Sequence, residues 1–185
     1  MLRSPPDTDK VTILKHLLSD QSIRRLTADK HTGGMVALVP TVGDAERLAV
    51  AGWEPAGELH VTLAFLGNVE HTPEFREKLT DQVGTASRTL GPVIGATWAA
   101  CAFNPTGEEP CATYLVGGEH VAEAHSLLQY VLSGLDLGAQ HAPWIPHITI
   151  GYGLNASVLD QFGPVTFDRL RVAFADSVTD FPLEG

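Results

Sequence analysis

Histidine followed two residues later by threonine occurs twice in this chain, inside segments that match over six positions. His60-Val61-Thr62-Leu63-Ala64-Phe65 is answered by His147-Ile148-Thr149-Ile150-Gly151-Tyr152. An imidazole can give or take a proton near neutral pH, and a hydroxyl can donate a hydrogen bond to an oxyanion. In an extended strand, side chains alternate between the two faces. His60, Thr62 and Ala64 are therefore expected on one face, with Val61, Leu63 and Phe65 on the other. In the second copy, His147, Thr149 and Gly151 are expected together, backed by Ile148, Ile150 and Tyr152. Two such strands side by side would make a cleft with two histidines, two hydroxyls and an open floor at Ala64 and Gly151.

That cleft suits acid–base chemistry on a phosphate. One imidazole removes a proton from the attacking oxygen. The other protonates the leaving oxygen on the far side of phosphorus. Thr62 and Thr149 would donate to the non-bridging oxygens as their charge builds. Packing can reuse a Val-x-Leu pattern, but it has no need to repeat His and Thr with a small residue after them. His60 and His147 are read as catalytic, and Thr62 and Thr149 as substrate-binding.

The other candidates carry weaker patterns. His16, His31, His71, His120, His125 and His141 are expected to be solvated. Trp98, Phe103, Phe65 and Tyr152 are read as packing residues. Trp144 lies three residues before His147, in a loop that could overhang the cleft, and is read as substrate-binding. Cys101 and Cys111 are read as buried thiols. No Cys-x-x-Cys and no histidine pair at ligand spacing lies near them, so no metal is expected, and no cofactor.

The elements that would position these residues alternate. Residues 1–33 read as an N-terminal extension, partly helical, with Val11, Leu14 and Leu18 at helical spacing near residues 9–20. A domain spanning residues 34–185 is expected after it. Met35 to Val39 reads as a buried strand, followed by a short helix from a Thr41/Asp44 cap to about Ala51. Thr72-Pro73-Glu74 is a helix start, and Phe75, Leu79, Val83, Ala86 and Leu90 form its apolar stripe. Strands are expected over Val93 to Phe103 and Cys111 to Val116, then a helix over Glu119 to Ser133. A long loop leads to the second motif. A short helix near Asn155 to Gln161 and a last strand over Val165 to Phe174 follow. This order points to an α+β domain with packed sheets.

The bulk numbers narrow the partner. The chain has 185 residues, 44% hydrophobic and 18% charged, which is a globular composition. No apolar run approaches the roughly 20 residues of a membrane span. Val11 to Leu18 is broken by Lys15 and His16, unlike a signal peptide, so a cytoplasmic protein without a membrane partner is expected. Lys and Arg number 12 against 22 Asp and Glu, a formal charge of −10. Long nucleic acids are gripped mainly through phosphate neutralisation by a basic stripe. The charge therefore favours a small nucleotide or a nucleic-acid end over long DNA or an extended strand.

With these residues in view, the chain resembles the 2H phosphoesterase superfamily, in particular its 2′-5′ RNA ligase and RNA 2′,3′-cyclic phosphodiesterase branch. Glu58-Leu59-His60-Val61-Thr62-Leu63-Ala64-Phe65-Leu66-Gly67 is similar to the first motif of that family. Pro146-His147-Ile148-Thr149-Ile150-Gly151 is similar to the second. The similarity runs, more weakly, from about Met35 to Leu183. It implies a bilobal fold with two antiparallel sheets lining a central cleft and helices outside. It also implies metal-independent cleavage of cyclic phosphates or 2′-5′ linkages, with His60 and His147 as acid and base. The family includes phage enzymes that degrade cyclic oligonucleotide defence signals, which the acidic charge would suit. A nucleotide- or RNA-binding module with the same cleft and no turnover is the alternative outside catalysis.

Overall fold

The computed structural model describes residues 34–67, 71–108, 110–137, 139–175 and 177–185. The helix expected near residues 9–20 lies outside them. The first strand, β1 (Gly34–Pro40), carries Val36, Ala37, Leu38 and Val39 with no exposed surface, as its apolar run requires. Pro40 ends it, and Thr41 caps helix α1 (Val42–Leu48) by accepting from the Asp44 amide. Asp44 in turn accepts from the Thr166 amide, tying the cap to the sheet.

The first motif forms β2 (Val61–Gly67). Helix α2 (Pro73–Ser87) starts at the expected place, with Thr72 accepting from the Phe75 amide and proline in the first turn. Leu79, Val83 and Ala86 of its apolar stripe are buried. Strands β3 (Val93–Phe103) and β4 (Cys111–Gly117) form a hairpin, and helix α3 (Glu119–Val131) follows. Gly95 lets α3 come close to β3, since a Cβ there would meet Val121 Cγ2 at 2.8 Å. The second motif forms β5 (His147–Tyr152). The long β6 (Gly163–Phe174) and β7 (Ser177–Pro182) complete the described chain.

All strand pairs are antiparallel, in the order β2-β1-β6-β3-β4-β5, with β7 on β6. The two expected sheets are thus two halves of one hydrogen-bonded sheet. They join on β6, whose first residues pair with β3 while the rest pair with β1 and β7. Phe167 stands at the changeover, opposite both Pro40 and Val93. Helices α2 and α3 pack against each other and over the apolar side of the sheet. The expected α+β fold class is the one observed. Among the described residues, no helix is long and apolar enough to cross a membrane.

The order of strands has one consequence for function. The motif strands β2 and β5 are the two outer edges of the sheet, yet curvature brings them into contact. The residues expected to work together are therefore carried by the first and last strands of one sheet.

Candidate active site

The two histidines are held in the same way. His60 Nδ1 lies 2.7 Å from the Glu58 carbonyl oxygen, and His147 Nδ1 lies 2.7 Å from the Ile145 carbonyl oxygen. A carbonyl only accepts, so Nδ1 carries the proton in both rings and Nε2 is left as the exchangeable nitrogen. Each half thus fixes its tautomer through the carbonyl two residues back. Both rings are half-buried.

The loop ahead of His60 is anchored from β6, two strands away. Arg171 donates to the Gly57 carbonyl at 2.9 Å and grips Asp180 through Nε and Nη2 at 2.7 and 2.9 Å. Thr62, Ala37, Arg171 and Asp180 lie opposite one another across β2, β1, β6 and β7. The row in the other half runs Thr149, Thr113, Cys101. Cys111 Sγ lies 3.6 Å from Thr149 Oγ1, and Cys101 Sγ lies 3.3 Å from Thr113 Oγ1. Both cysteines are free thiols, Cys111 buried and Cys101 half-buried.

Burial pushes the His60 pKa below the usual histidine value, and the charges of Arg171 and His147 push the same way. The Glu58 carbonyl and carboxylate oppose them. The strands that carry the two rings are in contact. The neutral ring is favoured in the fold. Below pH ~6.5 the unfolded chain takes up a proton that folded His60 resists, so this group's contribution to stability falls as pH drops from there toward the folded pKa. If neutral His60 is needed for turnover, the acid limb of kcat/KM lies below pH 6.5. Arg171→Gln, which removes one of the depressing charges, is expected to move that limb upward. A pH–rate series on both proteins checks this, and an unmoved limb would separate Arg171 from His60.

Strict alternation does not survive along either motif strand. In β2 the register slips between Val36 and Ala37, leaving Leu63 as the extra residue of a β-bulge. In β5 the slip between Ala112 and Thr113 leaves Ile150 as the extra residue. The bulge falls at the residue after threonine in both copies, so the repeat extends to backbone shape. Past the bulge the faces change. Ala64 is 1% exposed and belongs to the core, while Phe65 is half-buried and lines a cavity. Gly151 is buried, and a Cβ on it would lie 2.7 Å from the Trp53 ring. The smallness of Gly151 therefore serves packing, while Ala64, though buried, also borders the cavity. Phe65 is not the core residue that alternation predicts.

Each bulge carbonyl is satisfied from the opposite half. Gln129 Nε2 donates to Leu63 O at 2.9 Å, and the Glu54 amide donates to Ile150 O at 3.0 Å. Trp144 Nε1 donates to Thr62 O at 2.9 Å. The Gln140 side chain accepts from Phe65 N and donates to Phe65 O, as a neighbouring strand would. The loop before the second motif thereby covers the free edge of the first, where unpaired backbone groups would otherwise stand.

These contacts place the remaining candidates. Trp144 lies by the cavity next to His147, its N–H given to Thr62 and one face stacked on His125 at 3.8 Å and 7°. His125, expected to be solvated, is half-buried there, and burial lowers its pKa. His71 is likewise packed, stacked on Phe75 at 4.4 Å. Phe103 meets His147 edge-on at 4.6 Å. Arg171, Gln129, Gln140 and Trp53 were not singled out by sequence. Their partners are backbone groups or a glycine far away in the chain, and no short motif announces such pairs. Among the described residues, no cluster of three metal-ligating side chains occurs.

No protein-family profile and no curated protein matches the chain. Solved structures do. A protein described as a phosphoesterase superposes with a TM-score of 0.56 at 18% identity, over 82% of this chain and 95% of its own. LigT of E. coli complexed with 3′-AMP gives 0.56 at 16% identity, over 82% and 95%. Usb1 of Kluyveromyces marxianus gives 0.54 at 11% identity, over 82% and 98%. This chain has the 2H phosphoesterase fold. The family resemblance read from the two motifs thus holds for architecture, and the unmatched part of this chain leaves almost the whole of each neighbour covered.

Proposed function

We propose that this chain is a metal-independent phosphodiesterase that hydrolyses cyclic phosphates by two-histidine acid–base catalysis. Its substrates are 2′,3′-cyclic phosphate RNA ends, small cyclic nucleotides or oligonucleotides, or 2′-5′ linkages. The observation that carries this reading is the twin arrangement of His60 and His147. Each ring is locked by Nδ1 to the carbonyl two residues back, and each is followed by a threonine on one of two touching strands. A water molecule loses its proton to one Nε2, and the leaving oxygen gains one from the other. Thr62 and Thr149 hold the non-bridging oxygens, and Trp144 walls the neighbouring cavity. Among the fold neighbours, the LigT structure complexed with 3′-AMP supports a nucleotide ligand. The charge of −10 supports a small one.

The test is a screen of cyclic mono-, di- and trinucleotides, 2′-5′-linked dinucleotides and RNA carrying a 2′,3′-cyclic phosphate, with chelator present and products identified. Turnover of one class is expected. Tight binding with every compound recovered intact would replace the enzyme by a binding module. In the active case, Thr62→Val or Thr149→Val is expected to lower kcat by about 10²-fold or more, because a donor to developing charge is lost. KM should change much less. A change confined to KM would make the threonines ground-state contacts only.

A further inference from the structure

The two loops that supply the histidine-locking carbonyls are fastened by different means. In the second half, the ladder of β4 and β5 runs one step past the strand. Leu115 stands opposite His147, and the next amide, Val116 N, donates to the Pro146 carbonyl at 2.9 Å. That main-chain bond holds the residue between His147 and Ile145, whose carbonyl lies on His147 Nδ1. In the first half Leu38 stands opposite Val61, so two steps on Pro40 comes opposite Leu59, the counterpart of Pro146. The following amide, Thr41 N, turns to the other neighbour and donates to the Thr166 carbonyl at 2.8 Å. Alternation along a strand therefore aims the nitrogen of residue 40 at Leu59. That nitrogen belongs to proline and carries no hydrogen. The bond that fastens the second loop cannot form in the first.

A side chain reaches the first loop instead. Arg171 on β6 has only 11% of its side chain exposed. Asp180 of β7 takes its Nε and Nη2 at 2.7 and 2.9 Å, which fixes the plane of the guanidinium. The remaining end, Nη1, donates to the Gly57 carbonyl at 2.9 Å and lies 3.9 Å from Glu58 Oε2. The Gly57 peptide leads directly to Glu58, whose carbonyl lies on His60 Nδ1. We infer that Arg171, braced by Asp180, is a positioning residue that replaces the bond Pro40 cannot make, setting the Glu58 carbonyl and through it the His60 ring. Its effect on turnover rests on the phosphodiesterase reading above, whereas the tie itself does not. His147 is thus aimed by main chain, and His60 by an ion pair reaching back from β6 and β7. A lysine could not do the same work, because a single ammonium lacks the flat fork that serves Asp180 and Gly57 together.

The test compares Arg171→Gln, Pro40→Ala and the double variant. Ring N–H resonances of His60 and His147 are followed by NMR, and kcat and KM are measured on adenosine 2′,3′-cyclic phosphate. Arg171→Gln is expected to displace or broaden the His60 resonance and leave that of His147 in place. Its kcat should fall by about 10- to 10²-fold with KM little changed, the signature of a misplaced group. Pro40→Ala restores an amide hydrogen opposite Leu59. In the Arg171→Gln background it should return the His60 resonance toward its wild-type position and recover much of the lost kcat. Arg171→Lys should show the same disturbance more mildly, and it carries the comparison if Arg171→Gln does not fold. An unmoved His60 resonance in a folded Arg171 variant overturns the inference. So does a loss that Pro40→Ala fails to restore, since Arg171 would then act by some route other than the missing bond. The expected NMR pattern in a protein that turns over none of the screened compounds would overturn the phosphodiesterase reading and leave the tie standing.

Discussion

Replacing His60 or His147 by alanine is expected to lower kcat on a cyclic-phosphate substrate by about 10²–10⁴-fold in each case. Each ring is the one side chain of its His-x-Thr pair able to move a proton near neutral pH. The hydroxyls of Thr62 and Thr149 are far too weakly acidic to replace an imidazole near neutral pH. The double variant should lose little beyond the worse single one, because the two transfers serve one displacement and groups that act as a unit are not additive. Folding should be spared. Each ring makes one hydrogen bond, to a carbonyl in a half-exposed loop, and a net loss of about 1 kcal/mol is expected. Thermal denaturation of the variants therefore accompanies the kinetics. A collapse of stability with the loss of activity would make the histidines structural. Unchanged kcat in either variant would remove that ring from the reaction.

The parts of this site that were legible in sequence are those with local signals. His60, Thr62, His147 and Thr149 announce themselves by repetition. The caps at Thr41 and Thr72 announce their helices, because a cap is a contact between near neighbours. What stayed hidden depends on distance or on backbone irregularity. The bulges at Leu63 and Ile150 change which residues share a face, and period-two reasoning carries no term for an extra residue. Phe65 consequently moved from expected core to cavity wall. Strand β7 was missed because Ser177 to Asp180 is exposed and offers no apolar alternation, so the strand exists by its pairing with β6. Arg171 sits in no local motif. Only the register of β6 against β1 and β7 brings it under the loop of His60 and onto Asp180.

That same register makes Phe167 the residue whose loss should damage stability most. It is fully buried on β6, where pairing passes from β3 to β1. It belongs to the core shared by both halves, which includes Leu38, Val93 and Val165. Truncating a buried phenylalanine costs about 3–5 kcal/mol, the lost transfer energy plus the cavity left behind. Whole domains are stable by roughly 5–15 kcal/mol, so Phe167→Ala should consume a large share of that. Phe167→Leu, which keeps most of the volume, should cost much less. The position also predicts a functional signature. The two motifs sit on opposite ends of the sheet, and β6 is where its halves meet. A void there loosens one half against the other before either half loses its own motif geometry. In denaturant titrations Phe167→Ala is expected to lower the midpoint sharply. Under conditions where the variant is still fully folded, its kcat should fall more than its KM rises, because in-line proton transfer depends on where His60 stands relative to His147. Normal kcat in the folded variant would mean that the halves are held in register elsewhere, by the contacts of Gln129, Gln140 and Trp144 with β2 and of Glu54 with β5.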